Sequence, residues 1–406
     1  MILGKLRRKM NPVPRRSFLQ TIAVGAAAAA VGGVTRVSRA AAPSLSIDEP
    51  FHGAVLNRRH GTPLDAGLKV PVSGRAPLDA EVTVNGQPAR RAGARFTAEV
   101  VLRERETDII ALADSRFGRQ EHRVRVVWDK NSFPRYRFSI DDNIYFLHDI
   151  FRNKYRSLFD CFFLKGLRET NRKYGAKYTV NIFYLDDYAD DGFQLPQFPD
   201  RYKSEWRDNA DWLKLAFHAY ANKPDRPYQY APPQKLIADL DLVAGEIHRF
   251  AGEEAYAPPT IIHWGMVQPA ALRPLYERGV RVLSGYFRKL NGVNYDVNYL
   301  LDEARSEYLS HHDALKDFDS GIVFTRTDIV VNGTPLEKIV PTLAPLAEDP
   351  NQAEIMDLLT HEPQFWPTCK YYVPDHFQRL DTALRFVTEH GYKPVFYHEG
   401  FLGAPE

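Results

Sequence analysis

Two adjacent aspartates, Asp141 and Asp142, close a short β-type run at 136–140, and polar residues recur after later runs of the same kind. His218 follows 213–217, His263 follows Ile261-Ile262, and His361-Glu362 follows 355–359. Carboxylates and imidazoles together are the donor set of a divalent cation, and the same groups move protons near neutral pH. No two of these positions are close in sequence, so the chemistry depends on a fold that gathers them.

The intervening segments supply that fold. From Arg137 onward, β-type runs alternate with amphipathic helical segments such as 158–174, 233–250 and 375–390. In the 233–250 segment, Leu236, Ile237, Leu240, Leu242, Val243 and Ile247 fall mostly on one face. Alternation of this kind predicts parallel α/β architecture. In a parallel barrel the carboxyl ends of all strands meet on one face. Asp141, Asp142, His218, His263, His361 and Glu362 are therefore expected to converge.

Two further regions precede this one. Residues 1–42 carry Arg15-Arg16-Ser17-Phe18-Leu19, an alanine-rich apolar run and Ala40-Ala41-Ala42, the pattern of a cleavable twin-arginine leader. The apolar run is shorter than the roughly 20 residues of a spanning helix, so no stable membrane span is expected once the leader is removed. Export to the periplasm or beyond follows as the expected location. The leader holds eight of the basic residues and no acidic one; its loss takes the formal net charge from +2 to −6. An acidic mature chain argues against nucleic acid as partner, since binding its backbone takes clustered Lys and Arg. Residues 43–130 show short β-type runs separated by turn residues, with Asn85-Gly86 as a hairpin signal after Val82-Thr83-Val84. They read as a small all-β sandwich of immunoglobulin-like type. The junction falls at Asn131-Ser132-Phe133-Pro134, leaving 135–406 as the α/β barrel. Cys161 and Cys369 have no metal-ligand spacing, and the sequence leaves open whether they pair.

Phe138-Ser139-Ile140-Asp141-Asp142-Asn143 resembles the first motif of the polysaccharide deacetylases, a strand ending in Thr-Phe-Asp-Asp-Gly. The resemblance implies a distorted seven-stranded (β/α) barrel, with Asp141 as general base and Asp142 as metal ligand. The segment 214–222 is similar to the second motif, which delivers two histidines four residues apart. His218 matches the first of them; Asn222 stands where the second belongs. An amide oxygen suits zinc less well than imidazole, and His263 is the candidate to compensate. The third motif normally brings an arginine to the base; Ile262-His263-Trp264-Gly265 has none, and Arg226 is the candidate substitute. Leu358-Leu359-Thr360-His361-Glu362 resembles the late Leu-x-x-His motif, which implies His361 as the general acid; Glu362 or another carboxylate is its expected partner.

The implied activity is metal-dependent hydrolysis of acyl groups on a glycan, with zinc the favoured cation. Tyr228, Trp264 and Trp366 are candidates for stacking on sugar rings, with Arg226 beside them. Two other readings remain open. One is a glycoside hydrolase pairing Asp142 with Glu362 or Glu399; the other is a carbohydrate-binding protein without catalysis.

Overall fold

The computed structural model describes residues 44–403 apart from 117, 291, 293 and 400. The leader segment lies outside the described residues.

Residues 46–128 form two five-stranded sheets. The first runs in the order Ser46–Glu49, Gly67–Arg75, Arg95–Leu102, Arg90–Ala92, with Thr62–Leu64 also on Gly67–Arg75. The second runs Val55–Leu56, Gly118–Trp128, Glu106–Ser115, Glu81–Val84, Gln87–Pro88. Alternation along the strands buries Leu68, Val70 and Val72 of one sheet with Val82, Ile109, Val124 and Val126 of the other in a shared core. Asn85 and Gly86 have φ of 45° and 78°. That pair turns Glu81–Val84 back onto Gln87–Pro88, as the Asn-Gly signal predicts.

The chain then enters a six-stranded, all-parallel sheet. Its order is Leu213–Ala219, Tyr178–Phe183, Arg135–Asn143, Ile355–His361, Ile329–Val330, with Lys393–Pro394 beside the start of Arg135–Asn143. Every residue of Tyr178–Phe183 is buried, as expected of a parallel strand covered on both faces. A separate three-stranded sheet pairs Val282–Gly285 in parallel with Val323–Arg326, and the latter antiparallel with Ala314–Lys316. Segments outside the ladders bridge the two sheets: Ala257 N donates to Leu215 O and Ser284 N to Thr260 O, both at 2.9 Å, and Asp328, which follows Val323–Arg326, donates its N to Asp357 O at 2.9 Å. The architecture is thus mixed α/β with several sheets, and no single closed barrel ladder forms among the described residues.

Between the sheets, Arg137 makes a two-pronged ion pair with Asp357, both bonds 2.7 Å. Thr325 also donates to Asp357, at 2.7 Å. A buried charge pair is tolerable only when its remaining hydrogen-bonding positions are filled in this way. At the junction, Ser132 donates to Glu354 at 2.9 Å, Arg59 pairs with the same carboxylate, and Arg135 pairs with Asp129. Cys161 and Cys369 are both free thiols. No helix among the described residues is long and apolar enough to cross a membrane.

Candidate metal centre and its cavity

Residues adjacent on a strand normally face opposite sides, so Asp141 and Asp142 can share a site only if the strand is interrupted. It is. Pairing of Arg135–Asn143 with Tyr178–Phe183 slips between Ile140 and Asn143, and Asp142 has φ 61°. Aspartate tolerates this left-handed conformation better than most residues. A second slip occurs one strand over: Ile182 pairs with Phe217 and Phe183 with Ala219, leaving His218 as the extra residue. Bulges of this kind re-aim a side chain at a strand end. Here they turn Asp142 and His218 into the same cavity.

His263 enters from the segment following Ile262, where Trp264 has φ 64° and Gly265 φ 53°. A side chain at Gly265 would meet Val297 Cγ1 at 2.7 Å, so this tight turn requires glycine. The three functional atoms form a triangle. Asp142 Oδ1 lies 3.1 Å from His218 Nε2 and 3.3 Å from His263 Nδ1, and the two ring nitrogens are 3.0 Å apart. Phe183 backs both imidazoles, at ring-centroid distances of 5.2 and 5.1 Å.

The outer nitrogens decide how the inner ones are presented. His218 Nδ1 donates to Ile261 O at 2.9 Å, and His263 Nε2 donates to Asn222 O at 3.2 Å. Carbonyl oxygens only accept, so each outer nitrogen carries hydrogen and each neutral ring turns a lone pair toward Asp142. Two lone pairs 3.0 Å apart need a proton or a cation between them. Burial pulls the His218 pKa down, but Asp141, Asp142 and the Ile261 carbonyl outweigh it and hold it above the ordinary value. For Asp142, burial pushes upward, while bonds from His218 and His263 and the charge of His361 hold it well below the usual carboxylate range. The donor types, the outer hydrogen bonds and the separations all fit a divalent cation in the position of that proton.

Around the triangle lies a cavity of about 450 Å³ lined by Asp141, Asp142, His218, Asn222, His263, Trp264, Tyr286, Asn332, His361, Gln364 and Tyr371. Asp141 is directly opposite His361 in strand register. His361 Nδ1 donates to Asn332 Oδ1 at 3.0 Å, which leaves Nε2 as its working nitrogen. The same amide oxygen accepts from His361 N and Thr360 Oγ1, both at 3.2 Å.

The structure assigns several expected residues other tasks. Asn222 contributes its main-chain carbonyl to His263, while His263 occupies the third corner of the cluster. Glu362 lies outside the cavity lining. Its carboxylate accepts from Ile144 N, Tyr145 N, Phe146 N and Trp366 Nε1 at 2.6–3.0 Å, satisfying amides that the start of helix Tyr145–Asn153 leaves without a partner in the helix. Trp366 is thereby committed to Glu362, and it packs on Tyr145 and Phe162. Tyr228 is buried, donating to Asp239 at 2.9 Å. Arg226 forms a two-pronged pair with Asp296 and lies 5.0 Å over the Trp264 ring. Glu399 pairs with Lys177 at 2.8 Å, so neither Glu362 nor Glu399 is placed as a partner carboxylate for Asp142. Of the aromatic candidates, Trp264 alone lines the cavity.

Sequence reasoning passed over Asn332, Tyr286 and Asn181. Asn332 directly follows the apolar run 329–331, so the strand-end rule applied once more finds it. Asn181 is an amide inside the otherwise largely apolar Tyr178–Phe183, and a buried polar side chain there must have partners.

No family model matches the chain, and no curated protein does. Among solved structures it is similar to a modular endo-β-1,4-mannanase from Cellulomonas fimi, at 18% identity and TM-score 0.16 over 21% of this chain and 18% of that one. It thus spans about a fifth of that structure's length. A putative α-galactosidase from Bacteroides fragilis matches at 9% identity and TM-score 0.27, covering 85% of this chain and 78% of that one. Chitinase ChiW from a Paenibacillus species matches at 10% identity and TM-score 0.22, covering 87% and 43%.

Proposed function

We propose that this chain is a metal-dependent hydrolase that removes acyl groups, acetyl first among them, from a glycan. It is a divergent relative of the polysaccharide deacetylases, with the α/β region as a distorted form of their barrel and an immunoglobulin-like sandwich ahead of it. The observation that carries the reading is the meeting of Asp142 Oδ1, His218 Nε2 and His263 Nδ1 within 3.0–3.3 Å, in a cavity shared with Asp141 and His361.

Asp142, His218 and His263 would hold the cation, with zinc favoured by the two-nitrogen, one-oxygen donor set. When bound, a divalent cation supplies Lewis acidity and lowers the pKa of water. Asp141 accepts the proton of the attacking water on Oδ2, the oxygen with no hydrogen-bond partner among the described residues. His361, held by Asn332 at Nδ1, returns a proton through Nε2 to the departing amine or alcohol. Trp264 and Tyr371 offer aromatic faces that suit a pyranose ring. Twin-arginine export would place the folded, loaded enzyme in the periplasm or outside the cell.

The test is elemental analysis of the purified mature chain together with acetate release from acetylated glycans. About one divalent ion per chain, lost with turnover in Asp142→Ala and His218→Ala, is the expected result. A protein that stays metal-free after reconstitution overturns the proposal.

A further inference from the structure

Adjacent carboxylates beside a divalent cation tend to bind it together, yet a hydrolase of this kind needs one of them free to take a proton. The arginine expected beside Asp141 is committed elsewhere: Arg226 pairs with Asp296. In its place stand three uncharged side chains from three segments. Asn181 Nδ2 donates to Asp141 Oδ1 at 2.7 Å, and Ser139 Oγ donates to the same oxygen at 2.8 Å. Asn181 Nδ2 also lies 2.8 Å from Ser139 Oγ and 2.7 Å from Thr260 Oγ1, and the two hydroxyls are 2.9 Å apart. Thr260 N donates back to Asn181 Oδ1 at 3.4 Å. All four residues are buried. The network fixes one oxygen of Asp141 and leaves the other without a hydrogen-bond partner among the described residues.

We propose that the Ser139–Asn181–Thr260 network holds the Asp141 carboxylate off a cation bound by Asp142, His218 and His263, so that Asp141 acts as proton acceptor and not as a fourth protein ligand. Asn181 is then the principal positioning residue, with Ser139 and Thr260 fixing its amide. The inference rests on the metal-centre reading above. Two fixed donors on Oδ1 are charge-assisted hydrogen bonds among buried side chains, where such bonds are short and strong. Without them the carboxylate is free to rotate toward the cation, a change in coordination number that does not require turnover to be seen.

The experiment uses the mature full chain loaded with Co²⁺, whose visible spectrum and X-ray absorption report coordination number. Asn181→Leu and the milder Ser139→Ala are compared with wild type and with Ser139→Thr, which restores the hydroxyl. Expected are about one Co²⁺ per chain in each, an added oxygen ligand with a shifted visible band in Asn181→Leu and Ser139→Ala, and a wild-type spectrum in Ser139→Thr. Acetate release should fall about 100-fold in kcat for Asn181→Leu with KM little changed, the scale of a misplaced general base. Spectra of both variants that superimpose on wild type overturn the proposal, as does a wild type that takes up no Co²⁺. Should Asn181→Leu fail to fold, Ser139→Ala decides alone. A wild type that binds Co²⁺ but releases no acyl group sinks the proposed function, while the spectra still decide this inference.

Discussion

The place of His263 as third corner of the cluster can be tested directly. A tetrahedral zinc with bonds of about 2.0–2.1 Å separates its donors by roughly 3.3–3.4 Å. The observed 3.0, 3.1 and 3.3 Å among Asp142, His218 and His263 lie within a few tenths of an ångström of that. Loss of a residue that merely orients a ligand costs about 10–100-fold in affinity. His263→Ala deletes a ligand, so its cost should be at least about 100-fold, or about 2.8 kcal/mol at 1.4 kcal/mol per tenfold. Asn222→Ala keeps the main-chain carbonyl that holds His263 Nε2 and should stay within about threefold of wild type by the same reasoning. Competition against a chromophoric chelator near neutral pH gives both numbers. The His218 proton competes with the cation, so wild-type affinity should fall as pH drops through the raised His218 value. Equal losses in the two variants, or undiminished affinity in His263→Ala, would refute this assignment.

Two further perturbations separate chemistry from support. Glu362→Gln should lower stability by about 1–3 kcal/mol, because an amide in its place satisfies fewer of the four N–H donors; His361→Gln should leave the unfolding midpoint nearly unchanged while removing most turnover, and the reverse pattern in paired thermal-unfolding and acetate-release assays would return Glu362 to the reaction. Burial lowers the pKa of His376, which stacks on Phe365, to about 3 from its ordinary 6.5. Its stabilising contribution is therefore complete above about pH 6.5 and declines as pH falls toward 3, by of order 5 kcal/mol in total. Urea unfolding across that window should show a shallower pH slope in His376→Phe, and an unchanged slope counts against the assignment.

How much of this was legible in the sequence follows from what periodicity encodes. The parallel α/β order and the small all-β region were readable because apolar spacing reports which faces are buried. Asp142, His218, His263 and His361 were readable because polar residues after apolar runs stand out. Glu362 satisfies the same pattern, yet its carboxylate faces a helix start; strand-end position does not encode which way a side chain turns. Tyr228 likewise carries the composition of a sugar platform while its hydroxyl is satisfied by Asp239 in the core. Where a distorted barrel is expected, the described residues form two sheets bridged by short segments outside the ladders, since apolar runs as short as Ile261-Ile262 mark a segment without guaranteeing its ladder.

The bulges fix two corners of the cluster and leave the third open to a side chain from another segment. Asp142 and His218 are fixed by register slips in neighbouring strands, and each slip is held by main-chain pairing on either side. That leaves one corner to be filled by any imidazole able to reach within about 3 Å of both. A histidine at position 222 would come from the loop beyond His218; His263 comes from the next segment and uses the carbonyl of residue 222 to set its tautomer. In this chain the loop orients a candidate ligand through its main chain and donates no side chain to the cluster. On this account Asn222→His in the His263→Ala background should not restore metal affinity, because the new imidazole would lack the outer acceptor that His263 has. Restoration to within about tenfold of wild type would show that the corner, and not the outer hydrogen bond, is what the cation requires.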